Sequence, residues 1–354
     1  MRDLPPSARA PLLVLGFIAL LAGVTGGLVR LGFNAPAPGP GIAWHGALMA
    51  SGFFGTLIAL ERAVAIGRPW AYLAPAASGV GAIVLLAGSV QAGFALLAAG
   101  AALLAAATSS IWLRQRTLHT GVLALGALGL VAANLALVAG RPPEAAVPAW
   151  IAFFALTIGG ERLELSRLSP VPRLARAAFG VLSVALLLAA LPFAPRVLGA
   201  LLVLMAAWLA RYDIATRTVR GAGLTRYIAL CLLAGYAWLA IGGALLVSSS
   251  AAGSGRELWD AGLHAILVGF VFSMVFGHAP VILPAVLRVA LPYRTALYLP
   301  LVLLHFSLAA RVAGDVAASA PLRAAGGAGN ALAIALFIVT AAGLSLSSLR
   351  KEKS

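Results

Sequence analysis

The chain has 354 residues, 62% of them hydrophobic and 10% charged, with a mean hydropathy of +1.02. So much apolar surface excludes a soluble globular domain and places the chain in the polytopic membrane class. The net charge of +15 does not argue for a nucleic-acid partner, because the basic residues sit in short loops between apolar runs, where they orient helices.

Runs of about 20 apolar residues mark membrane-spanning helices, and twelve are predicted along the sequence. Helix 1 (11–31) comes after a basic start that resembles a signal peptide. No clean small-residue cleavage site is present and the run has the length of a bilayer span, so it is read as a retained first helix. Helix 2 (42–64) opens with Trp44-His45-Gly46-Ala47-Leu48-Met49 and ends near Glu61-Arg62. Helices 3, 4 and 5 (71–89, 92–113, 119–139) are almost wholly apolar, and His119 stands beside Arg114 and Arg116 as an interfacial residue. Helix 6 (147–165) comes after the breaker Arg141-Pro142-Pro143 and ends in Glu161-Arg162-Leu163-Glu164-Leu165-Ser166-Arg167. There Glu164 and Arg167 have the i,i+3 spacing of an ion pair.

Helices 7 and 8 (174–192, 195–211) lead to helix 9 (226–247), which holds Cys231, the single cysteine. One thiol cannot build a disulfide, a multi-thiolate zinc site or an iron–sulfur cluster, and Cys231 reads as a small core residue. Helix 10 (261–287) opens with Leu263-His264-Ala265-Ile266-Leu267-Val268 and carries Gly277-His278-Ala279-Pro280 with Pro284 a turn later. Those prolines are expected to free backbone carbonyls and to break or kink the helix. Helix 11 (296–313) has His305 near its middle, and helix 12 (327–348) completes the set.

The basic residues test this map. With the N-terminus in the cytoplasm, Arg30, Arg141, Arg196, Arg256, Arg311 and Arg323 fall outside, and the remainder of the 25 basic residues fall inside. An all-α, single integral membrane domain over 1–354 is expected, with both ends cytoplasmic in a bacterial-type inner membrane. A faint internal repeat runs through it. Helices 2 and 10 open alike and helices 2 and 6 end alike, which suggests three four-helix units, and repeat-built membrane proteins place sites at repeat junctions.

Ionisable side chains within a bilayer are expensive and mark function, and histidine is a common ligand for haem iron and copper. Of the five histidines, His45, His264, His278 and His305 fall within predicted spans. His45 and His264 are expected at similar depth in the outer leaflet, as a six-coordinate haem needs. The fourteen positions between His264 and His278 make nearly four turns of an ideal helix, so both are expected on one face, separated by a rise of about 21 Å. That spacing fits two centres, or one centre and a proton path, but not one ion. Glu61 and Glu161 are candidate points of proton uptake from the cytoplasm, or else charged caps at the interface. Arg30 could pair with a haem propionate or snorkel to the headgroups. Met49 and Met274 are read as packing residues.

Gly26-Gly27-Leu28-Val29-Arg30-Leu31, with His45-Gly46-Ala47-Leu48-Met49 after it, resembles the start of the haem–copper oxidase subunit I superfamily. There a Gly-rich first helix ends in Arg and a His-Gly-x-x-Met-type second helix ligates low-spin haem. That superfamily has a twelve-helix core of three four-helix arcs with haem ligands on helices 2 and 10, which implies His45 and His264 as the ligand pair. Its paired copper-ligating histidines on helix 7 and its histidine on helix 6 have no counterpart, and its closely spaced His-x-His on helix 10 is replaced by His264 and His278. The chain is more similar to NnrS-like proteins, twelve-helix membrane proteins containing haem and copper and linked to nitric oxide stress. The resemblance implies a haem site, with copper as a further metal, at His45, His264, His278 and His305. It also implies redox handling or sensing of a diatomic gas, with an electron donor and the lipid bilayer as partners. The alternative is a proton- or metal-coupled secondary transporter with a Pro-broken helix 10; a scaffold subunit whose histidines merely pack is a third reading.

Overall fold

A computed structural model describes residues 3–165, 171–191, 194–249 and 255–353, with side chains to residue 349. Of the described residues 87% are helical, and none forms a strand. Among the described residues, twelve helices are long and apolar enough to cross a membrane. They are α1 (Pro6–Arg30), α2 (His45–Ile66), α3 (Pro69–Leu86), α4 (Val90–Gln115), α5 (Leu118–Val138) and α6 (Pro143–Leu165), then α7 (Arg173–Ala190), α8 (Pro195–Tyr212), α9 (Gly223–Ser248), α10 (Gly255–Leu287), α11 (Thr295–Val316) and α12 (Ala320–Leu349). Each coincides with one of the twelve apolar runs. Large apolar side chains such as Leu174, Val181 and Phe306 stand 82%, 72% and 75% exposed, a distribution suited to lipid rather than water. The chain is a multi-pass, all-α membrane bundle.

By its contacts the chain divides into two compact units, Met1–Gly160 with Ala190–Phe193, and Glu161–Ala189 with Ala194–Ser354. The boundary falls within α6, not after the fourth and eighth helices where three four-helix units would place it.

In the first unit α1 lies close against α2, and its glycines make that approach possible. A Cβ on Gly27 would stand 3.0 Å from His45 Cε1, and one on Gly26 would overlap the backbone of Gly41. At the start of α1 the buried Arg9 donates to Asp3 at 2.5 Å, and the Tyr72 hydroxyl donates to the same carboxylate at 2.7 Å. After His45–Ala47 the second span leaves α geometry: Leu48–Phe54 is π-helical, and α geometry resumes over Gly55–Ile66. Polar groups hold this segment. Trp150 Nε1 donates to Ser51 Oγ at 3.0 Å, Ser51 donates to Asn134 Oδ1 at 2.6 Å, and Asn134 Nδ2 donates to the Leu97 carbonyl at 3.0 Å. A buried network satisfied in this way fixes one packing of the helices that carry it.

In the second unit α9 approaches α8 and α10 through glycines, and a Cβ on Gly242 would come 2.9 Å from the Gly262 carbonyl. Cys231 is fully buried on α9. The tenth span repeats the irregularity of the second: His264 ends the α-helical start Gly255–His264, and Ala265–Phe272 is π-helical. The expected break at Pro280 and Pro284 does not occur, since Ser273–Leu287 is one α-helix containing both. Proline removes a donor, but neighbouring groups re-satisfy the freed carbonyls in membrane helices, so the helix survives. The α11–α12 hairpin is tight: a Cβ on Gly326 would lie 2.6 Å from Arg311 Cα, and one on Gly314 2.8 Å from Arg323 Cα.

Candidate functional site

The histidines separate by unit and by tautomer. His45 belongs to the first unit; His264, His278 and His305 belong to the second. His45 Nδ1 lies 2.5 Å from the Gly23 carbonyl, His264 Nδ1 2.8 Å from that of Asp260, and His278 Nδ1 2.7 Å from that of Met274. A carbonyl oxygen only accepts, so Nδ1 is the donor in all three, and each neutral ring carries its lone pair on Nε2. Histidines that bind metal characteristically donate their other ring N–H to a carbonyl or carboxylate, which sets tautomer and orientation. His305 is the opposite case. Trp238 Nε1 donates to its Nδ1 at 2.9 Å, so the neutral ring keeps its proton on Nε2, which is buried and has no partner among the described residues. As it stands, His305 is a donor and not a ligand.

The expectation of a common face for His264 and His278 assumes an ideal helix, and Ala265–Phe272 lies between them in π geometry. A π-bulge shifts the helical phase of the residues after it, so fourteen positions do not by themselves set a common face here. Among the described residues no group of three or more His, Cys, Asp or Glu side chains is placed to hold a metal ion.

Of the remaining expected site residues, Arg30 is exposed in the last turn of α1. Glu61 and Glu161 are half-buried near the ends of α2 and α6, each engaged with neighbours. The ion pair expected between Glu164 and Arg167 lies partly outside the described residues, since Arg167 is not among them. His119 is half-buried, with Nε2 3.4 Å from Thr117 Oγ1.

Two ionic clusters that sequence reasoning missed lie in the second unit. Arg162, 4% exposed, donates through Nε and Nη2 to Asp213 at 2.6 and 2.9 Å. The Tyr236 hydroxyl and the Ala215 amide donate to the same carboxylate at 3.1 and 2.7 Å. This is a bidentate, fully hydrogen-bonded pair. The second cluster joins α10, α11 and α12. Asp260 Oδ2 lies 3.4 Å from His264 Nδ1 and 3.2 Å from Arg311 Nη2, and Asp315 Oδ1 lies 3.8 Å from Arg323 Nε. Two signals for it are present in the sequence: Asp260 precedes His264 by four residues, and Arg311 precedes Asp315 by four, the spacing of helical neighbours. Nothing local announces Asp213.

Fold and site together define a multi-pass helical membrane protein with ionisable groups buried in its spans. It belongs to the family described as a domain of unknown function, DUF8744, whose model matches residues 9–346. No curated protein and no solved structure matches the chain.

Proposed function

We propose that this is a haem-binding protein of a bacterial-type inner membrane, with both termini cytoplasmic, that handles or senses a diatomic gas such as nitric oxide. The resemblance to NnrS-like proteins implies that role, and the arginine distribution along the sequence supports the orientation. One observation carries the haem reading: His45, His264 and His278 each direct Nδ1–H to a backbone carbonyl, the tautomer in which the neutral ring has its lone pair on Nε2, as in histidines that bind metal. The donor set fits haem, whose iron takes only one or two protein ligands. Bound haem would supply redox iron. The protein's own part is to fix the ring tautomers and to bury the site in apolar helices, and Glu61 and Glu161 are the first candidates for proton delivery. Copper sites are ordinarily built from more protein ligands than a pair, and the described residues offer no such group, so copper has no comparable support.

An absorption spectrum of the purified protein tests this. A strong visible haem band is expected, lost or shifted in at least one of His45→Ala, His264→Ala and His278→Ala and retained in His305→Ala. Colourless protein after expression with haem supplied would sink the reading. A proton-coupled transporter is the second reading, favoured by the ionisable groups of α10 and α11; it predicts colourless protein and a proton flux across vesicles.

A further inference from the structure

Asp315 is 1% exposed in the last turn of α11, and neither of its carboxylate oxygens accepts a hydrogen bond among the described residues. A carboxylate placed so is unfavourable on several counts. It has left water without a compensating donor, it stands at the negative end of the helix dipole, and it lies in a membrane span. The charged groups that face it are Arg311 on its own helix, Arg323 on α12, and Asp260 and Glu257 on α10. None closes on it. Arg323 Nε stops 3.8 Å away on a side chain 40% exposed. Arg311, 8% exposed, donates through Nη2 to Asp260, and its buried Nε has no acceptor among the described residues. A buried acceptor and a buried donor thus share one site with neither satisfied. Arg162 and Asp213, built from the same residue types at similar burial, close to 2.6 Å.

We propose that Asp315 is the proton-binding group of an exchange site, with Arg323 as its movable counter-ion. With the proton bound, the carboxyl is neutral and Arg323 is released toward the headgroups. On release, the O–H bond breaks, the proton passes to water and the electron pair stays on the carboxylate. Arg323 then advances from 3.8 Å into a charge-assisted hydrogen bond. The tight α11–α12 hairpin holds the two backbones in place, so the guanidinium moves and the helices do not. Arg311 stays bound to Asp260 and contributes a fixed charge. The proposal does not depend on haem, and it applies equally to a redox protein and to a transporter.

The test uses the purified full-length protein in detergent, titrated from about pH 5 to about pH 9. Two readouts are taken: mass-spectrometric mapping of sites modified by an apolar carbodiimide, which reacts with the acid form, and infrared difference spectra of carboxylic-acid carbonyls. Asp315 should be modified at low pH, with the yield falling about tenfold for each pH unit beyond the midpoint. An acid carbonyl band should titrate with the same midpoint and be missing in Asp315→Asn. Arg323→Ala should move the midpoint to higher pH, and Arg323→Lys should restore most of the shift. Two results overturn the proposal: a wild-type protein with neither Asp315 modification nor a titrating acid band, or a midpoint indifferent to Arg323→Ala. Mapping on the wild-type chain keeps the test decisive even where Asp315→Asn fails to fold.

Discussion

Two buried arginine–aspartate clusters in the second unit differ in completeness. Around Asp213, two donors of the Arg162 guanidinium, a tyrosine hydroxyl and a backbone amide converge within 3.1 Å. Around Asp315 the nearest cation stops at 3.8 Å, and the Arg311 Nε beside it lacks an acceptor among the described residues. Burial is similar, with Asp213 at 3% and Asp315 at 1%. The difference separates a pair that fixes structure from one that retains an unused degree of freedom. A saturated pair cannot change charge without being broken, whereas an unsaturated one can gain or lose a proton with a small movement.

The sharpest way to break this comparison is to remove one partner of the closed pair. Asp213→Ala leaves Arg162 as an uncompensated buried charge and should cost about 3–5 kcal/mol, read as a large drop in melting temperature in detergent or as loss of folded protein. Replacing both partners by leucine should recover much of that loss; if it recovers none, the pair does more than compensate its own burial. Tyr236→Phe removes one of several donors to Asp213 and should cost about 1 kcal/mol. Asp315→Asn should have the smallest effect, within about 1 kcal/mol in either direction, because no existing hydrogen bond is lost. Equal destabilisation by Asp315→Asn and Asp213→Ala would erase the distinction between the clusters.

Four ionic residues of these clusters, Asp213, Asp260, Asp315 and Arg323, fall outside the predicted spans for one reason. Hydropathy ends helix 8 at 211, short of Asp213, and begins helix 10 at 261, just after Asp260. It ends helix 11 at 313, short of Asp315, and begins helix 12 at 327, past Arg323. The described helices Gly255–Leu287, Thr295–Val316 and Ala320–Leu349 take in the last three, and Asp213 comes directly after Pro195–Tyr212. Hydropathy ends a helix where charge begins, so it assigns to loops the charged residues that a bundle can fold inward and pair. The histidines, by contrast, lie inside apolar runs and stand out against them. The tautomer of His45 cannot be read from its own span, because the carbonyl it meets belongs to Gly23 on another helix, whereas His264 and His278 meet the carbonyls of Asp260 and Met274 four residues earlier on their own helix.

Apolar run length alone marks the twelve spans and shows where the imidazoles lie, because bilayer thickness sets a run length and an apolar run exposes any polar exception. Only the folded chain shows which charges are paired and where α geometry yields to π, at Leu48–Phe54 and Ala265–Phe272. It also shows that Pro280 and Pro284 do not end their helix. The pairing of the charges depends on a neighbouring segment that supplies the donor or the acceptor. Such partners lie tens of residues away along the chain, 51 in the case of Arg162 and Asp213, beyond the reach of any local pattern.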